Sequence, residues 1–235
     1  MIPKHLHYIK LLPANTLTWE ERVLVKRTKR LLPNWSYTLW QDECVLAVVQ
    51  KHLEPLFVEK FLQIEIATVK TDIARYAILF DQGGVYLDTD YKLLKAPIKY
   101  LDASCLLPIE VAATEPSDSI LGTAVLASIP GYSFWRDLLI HLLSNVTIEE
   151  LNHGDPVQTT GPLALTSFWR SHHGRYHGIK LPAQAEFHPA LAGYNFSFDG
   201  TVQTHGVHLC WGSWRDKRSI QRYKNLIRRK VTCML

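Results

Sequence analysis

Apolar and polar positions along the chain alternate between strand-like and helix-like periods. His5–Ile9 follows Pro3 and is predicted as a first strand. A helix is expected after Thr18, with Glu20 and Glu21 in its first turn and the basic stretch from Lys26 to Arg30 near its end, which suits the helix dipole. Pro33 stops it. Residues 35–40 are rich in aromatic and β-favouring side chains and predict a second strand. Helical patterns follow over 45–53 and Pro55–Leu62. The clearest helix is expected over 64–80, where Ile66, Val69, Ile73, Ala77 and Phe80 recur at intervals of three and four. Gly83-Gly84 then ends it, because glycine takes the left-handed C-cap conformation cheaply. A short strand over 85–87 leads into Asp88-Thr89-Asp90. Further strands are predicted at 105–107 and 124–127, and further helices at 132–143, 163–172 and 219–231. Strands alternating with helices predict an α/β fold on a mixed, largely parallel sheet.

Composition narrows this picture. The chain has 235 residues, 47% hydrophobic and 20% charged, which fits a single domain with a substantial core. No apolar run of about 18 residues predicts a spanning helix, and no signal-peptide core is expected at the start. The four cysteines lie far apart without a CxxC pair, against a zinc knuckle or redox site. They read as reduced thiols, and the expected location is cytoplasmic. The net charge of +4 is uneven. Residues 215–230 hold Arg215, Lys217, Arg218, Arg222, Lys224, Arg228, Arg229 and Lys230 against one acid, Asp216. Interleaved apolar residues make 215–231 a basic amphipathic helix, either docked by its apolar stripe or lying on an anionic membrane face. No nucleic-acid motif accompanies the charge.

Asp88 and Asp90 carry the chemistry. If the extended backbone continued past the strand, both side chains would project from one face. Two like charges there repel, and a divalent cation with oxygen ligands relieves them. Open α/β sheets also bind ligands beyond the carboxyl ends of their strands. A solvated acidic turn is the plain alternative.

The string from Asp72 to Asp90 joins Asp72-x-x-Arg75, Gly83-Gly84, Tyr86 and Asp88-x-Asp90. It resembles the signature of glycosyltransferase family 32, the sugar-binding region containing the DxD motif. That family includes the yeast mannosyltransferase that starts outer chains and bacterial polysaccharide enzymes. Clostridial glucosylating toxins are more distantly similar. Ile2-Pro3-Lys4 with Leu6-His7-Tyr8-Ile9 resembles the family's opening strand, and 32–40 its second. Thr160-Gly161-Pro162, Phe187-His188-Pro189, His208 and Ser213-Trp214 resemble later landmarks.

The resemblance implies a GT-A type, Rossmann-like domain over 1–235. About 1–105 would bind the nucleotide-sugar and about 106–214 the acceptor, with 215–235 the basic C-terminal helix. It implies transfer of a hexose, with retention, from a UDP- or GDP-sugar to a glycan, lipid-linked or protein hydroxyl. A divalent cation, Mn2+ or Mg2+, would assist. Asp88 and Asp90 are the implied catalytic and metal residues, with His208 a third ligand. Tyr8, Ile9, Asp72, Arg75, Tyr86, Asp88, Ser213 and Trp214 are the implied donor contacts. Asp72 and Arg75 share a helical face and also fit a structural ion pair. Ser213 and Trp214 would close over the diphosphate, hinged at Gly212. Lys10 stands where the family places a Trp near the donor base, and Thr123 where it often places Asn. A nucleotide-sugar hydrolase, an inactive nucleotide-sugar-binding protein and a carbohydrate-binding module are the rival readings.

Overall fold

The computed structural model describes residues 1–14, 16–189 and 201–211. In chain order its elements are β1 (His5–Ile9), α1 (Trp19–Leu31), β2 (Ser36–Trp40), α2 (Asp42–His52), α3 (Pro55–Leu62), α4 (Ala67–Gln82), β3 (Gly84–Leu87) and β4 (Tyr91–Leu93). There follow β5 (Cys105–Leu106), β6 (Ile109–Val111), β7 (Ile120–Leu121), β8 (Val125–Ser128), α5 (Ser133–Asn145), α6 (Ile148–His153), α7 (Pro156–Thr159), α8 (Pro162–His172), β9 (Ile179–Lys180), α9 (Gln184–Phe187) and β10 (Gly206–His208). The predicted basic helix at 219–231 lies outside the described residues.

The main sheet has the order β2-β1-β3-β8-β5-β9. β1 pairs parallel with β2 and β3, and β5 pairs parallel with β9. β8 runs antiparallel to both its neighbours, so it alone opposes the common direction. The sheet is therefore mixed and mostly parallel. Its central strand β8 and its edge strand β9 come from the second half of the chain, so both halves build one sheet. Smaller ladders join β4 to β10 and β6 to β7.

Period-two alternation sorts the strand side chains into two cores. Leu6 and Tyr8 of β1, Val85 and Leu87 of β3, and Val125 and Ala127 of β8 pack on one face, with Val25 and Leu32. Ile9, Tyr86 and Leu126 turn to the other face, against Val49, Ile73, Ala77, Trp135 and Leu138. Here α4 packs against α2 and α5. It begins at Ala67, three residues later than its periodicity predicts, because Ile66 stays extended as its N-cap. It is buried nearly all round, Asp72 and Arg75 included.

The N-terminus of α1 is built by local chemistry. Thr18 caps the helix and Glu21 returns to the Thr18 backbone, a capping box. The glycines after α4 answer to close approach. Gly83 and Gly84 both have positive φ, although the ψ of Gly83, −146°, departs from the predicted left-handed cap. A Cβ on Gly83 would lie 2.5 Å from the Pro130 nitrogen, and one on Gly84 would lie 2.6 Å from the His5 carbonyl oxygen. Next to this crossing, the His7 ring ties β1 to the end of β2 and to the C-cap of α4. Its Nε2 donates to the Gly83 carbonyl at 2.8 Å, and its Nδ1 accepts from Trp40 Nε1 at 3.0 Å. Among the described residues no helix is long and apolar enough to cross a membrane.

Candidate active site

The two aspartates sit on a tight turn rather than on a continued strand. The Asp88 N–H donates to Ala124 O at 2.9 Å, which extends the β3–β8 ladder by one step. The Tyr91 N–H then donates back to Asp88 O at 3.0 Å and closes the turn. Strand alternation therefore does not explain why the carboxylates meet. The partner ladder does. β10 pairs antiparallel with β4 and sets His208 opposite Tyr91, next to Asp90. His208 Nε2 lies 3.3 Å from Asp90 Oδ1 and 3.7 Å from Asp88 Oδ2. The other Asp90 oxygen accepts from the Trp211 backbone N–H at 2.8 Å.

The charges here tune one another. Burial works against an ionised Asp90, but His208 and the Trp211 N–H outweigh it and hold the carboxyl below its usual range. Burial likewise opposes a charged His208, yet Cys210 and Asp90 beside it raise its pKa well above the ordinary value.

Behind the turn lies a buried ionic group. Arg75 Nη2 is 3.1 Å from Asp72 Oδ1 and 3.4 Å from Asp88 Oδ1. Its Nη1 donates to Thr123 O at 2.7 Å, and the guanidinium lies over the Tyr86 ring, 4.6 Å from its centroid. Tyr86 Oη donates to Asp88 Oδ1 at 2.6 Å. Asp72 Oδ2 accepts from Thr160 Oγ1 at 2.7 Å. Burial is the largest influence on Asp72 and lifts its pKa to about 6, against the opposing pull of Arg75. Arg75 Nε is buried with no hydrogen-bond partner among the described residues. The Asp72–Arg75 pair is thus an ion pair, and the same arginine steadies the DxD turn.

A second network reaches the turn from α1. Glu21 is buried, and its Oε1 accepts from Thr89 Oγ1 at 2.9 Å and from Lys10 Nζ at 2.7 Å. Lys10 therefore neither points to open solvent nor stands ready as a lone phosphate ligand. It is committed to Glu21, with 16% of its side chain exposed.

Against known proteins, residues 19–107 match the model described as the glycosyltransferase sugar-binding region containing the DXD motif. That stretch holds Asp72, Arg75, Asp88 and Asp90. Over residues 19–107 the chain is thus similar to this family of glycosyltransferases. It is similar to inositol phosphoceramide mannosyltransferase 2 of Schizosaccharomyces pombe, 25% identical over 60% of this chain and 39% of that protein. It is also similar to the mannosyl phosphorylinositol ceramide synthase SUR1 of Saccharomyces cerevisiae, 26% identical over 73% of this chain and 43% of that protein. The match thus spans well under half the length of either relative. In fold it is similar to the UDP-bound glycosyltransferase domain of the YGT toxin, with a TM-score of 0.54 at 11% identity, over 83% of this chain and 82% of that one. The fold is GT-A.

In this glycosyltransferase fold the predicted residues fall into three groups. Asp72, Arg75, Tyr86, Asp88, Asp90 and His208 come together. Tyr8 and Ile9 have buried side chains in the two cores, at 1% and 5% exposure. Ser213 and Trp214, with the hinge at Gly212, lie outside the described residues. The departure at Thr123 leaves its contact to Arg75 intact, because that contact is made by the main chain.

Asp88, Asp90 and His208 each present one ligand atom, all within 4.8 Å of one another. Two carboxylates and an imidazole fit a divalent cation, and the imidazole tilts the set toward manganese over magnesium. Glu21 and Thr160 were not foreseen as site residues. The Thr18-x-x-Glu21 capping box and the Thr160-Gly161-Pro162 landmark flag both positions, but neither shows what the side chain touches.

Proposed function

We propose that the chain transfers a hexosyl group, with retention, from a UDP- or GDP-sugar to an acceptor hydroxyl, with a divalent cation held by Asp88, Asp90 and His208. The observation that carries this reading is the convergence of His208 on both aspartates of the DxD turn. When bound, the cation supplies Lewis-acid charge that neutralises the departing nucleoside diphosphate.

The chain's own residues supply the rest. The Arg75 guanidinium holds Asp88 in place and leaves that carboxylate an outer oxygen for the donor side. Asp72, fixed by Thr160 and Arg75, backs Asp88 from the buried side. Glu21 pins the middle of the turn through Thr89. Together they preorganise the ligands, so that little reorganisation is needed as charge develops. Both fungal relatives are, by their names, enzymes of mannosyl transfer to phosphorylinositol ceramide. A mannosyl donor and an inositol-phosphate lipid acceptor are therefore the first pair to test. The family's usual aromatic near the base is replaced by Lys10, so uridine and guanosine donors both belong on the panel.

The test is release of UDP or GDP from a panel of nucleotide-sugars with manganese, with and without candidate acceptors. Manganese-dependent release that rises with an acceptor supports transfer. Release indifferent to every acceptor would select a hydrolase, and metal-dependent donor binding without any turnover would select an inactive binder.

A further inference from the structure

A second group of ligand atoms lies beside the DxD site, and two of its three residues have no part in the reading above. Glu110, on β6, and His188, just after α9, present ligand atoms that lie with one of His208 within 4.8 Å of each other. Gly122 makes this meeting possible. A Cβ there would lie 2.6 Å from His188 Nε2 and 3.1 Å from Glu110 Cβ, so any larger residue would part the two. His188 is 6% exposed, and its Nε2 is buried with no hydrogen-bond partner among the described residues. A buried imidazole nitrogen with no partner is costly to keep, which calls for a ligand or a role.

We propose that Glu110, His188 and His208 form a second metal-binding group, selective for zinc-type transition metals, that shares His208 with the DxD site. The donor chemistry separates the two groups. Asp88, Asp90 and His208 are oxygen-rich and suit manganese. Two imidazoles with one carboxylate suit zinc and leave an open position for water or substrate. Tetrahedral zinc holds nitrogen and oxygen ligands at about 2.0–2.2 Å, so its ligand atoms end roughly 3.4 Å apart. From a spacing within 4.8 Å, binding draws the three side chains inward. One imidazole serves both groups, so zinc bound here draws on a ligand of the manganese site and the two metals antagonise each other.

The test uses the full chain and metal ions alone. Manganese binding is followed by its paramagnetic resonance signal, and zinc affinity by competition with a chromophoric chelator. Asp90→Asn is expected to lose manganese while still binding one zinc ion. Adding His188→Ala or Glu110→Gln to that variant should weaken zinc by at least tenfold. In the wild type, zinc should displace manganese, and Glu110→Gln should blunt that displacement. Glu110→Gln changes little in shape, and its circular dichroism and melting curve report whether the fold survives. The proposal is overturned if Asp90→Asn binds no zinc, or if its zinc affinity is the same with and without the Glu110 and His188 changes. A wild type that binds manganese no better than Asp90→Asn would instead overturn the DxD reading, and the zinc comparison would still stand.

Discussion

Asp90 Oδ1 lies 3.3 Å from His208 Nε2, and the pairing of β4 with β10 holds the two there. This one relationship draws together the DxD turn, from the first half of the chain, and the end of the last described strand. Because His208 sits on a ladder rather than a loop, its ring orientation is set by backbone pairing and by packing against Tyr91, whose ring centroid is 6.5 Å away.

Arg75→Met is expected to destabilise the protein by about 3–5 kcal/mol, the usual cost of stranding a buried charge. Two carboxylates, Asp72 and Asp88, share this one arginine. Chemical denaturation would measure the loss. Asp72→Asn in the same background should recover part of it, since it removes one of the stranded charges.

His7→Ala should cost about 3 kcal/mol or more, from the lost volume and from two buried groups left without partners. Those groups are the Trp40 indole N–H and the Gly83 carbonyl. Burial brings the His7 pKa down to about 3, so the folded protein resists a proton that the unfolded chain accepts near 6.5. Its contribution to stability is full above pH 6.5 and is lost as pH falls toward 3. Denaturation midpoints of wild type and variant should therefore converge as the solution is acidified through that window.

Asp72 predicts a different pH signature. Its folded pKa of about 6 exceeds the ordinary 3.8, so between those values the folded state holds more protons than the unfolded chain. Its contribution to stability thus falls as pH rises through the window. Activity behaves the opposite way, because the pair with Arg75 needs the carboxylate. The acid limb of kcat/KM should bend near pH 6 in the wild type, and that bend should vanish in Asp72→Asn.

Thr89→Val removes the hydrogen bond from the middle of the turn to Glu21. Partners that orient metal ligands from behind typically affect affinity by about 10–100-fold. Manganese affinity should fall by about tenfold while the melting temperature changes little. An unchanged affinity would show that the turn holds its shape without α1.

Much of this is legible in the sequence. Strand alternation at β1 and β3, the Thr18 capping box and the three-and-four spacing in α4 act over a few residues, so each could be read locally. Asp72 and Arg75 were visible as one face of α4 for the same reason. That this face is buried, and that Thr160 closes it, depends on the packing of α7 and α8, which no local pattern encodes. The aspartates were placed together for the wrong reason, because hydrogen bonding at Asp88 turns the chain where alternation would carry it straight on. The commitment of Lys10 to Glu21 is not legible, because nothing in its neighbourhood of the sequence announces Glu21 as its partner. His188 and Glu110 went unassigned because only the fold brings α9, β6 and β10 to one place.

The central claim is that Asp88, Asp90 and His208 hold the cation on which donor binding depends. Calorimetric titration of UDP and GDP into the wild type and into Asp90→Asn, each with and without manganese, tests it most directly. Nucleotide binding that needs manganese in the wild type, and is lost in folded Asp90→Asn, is the predicted result. Nucleotide affinity that is the same with and without manganese, or undiminished in Asp90→Asn, would contradict it.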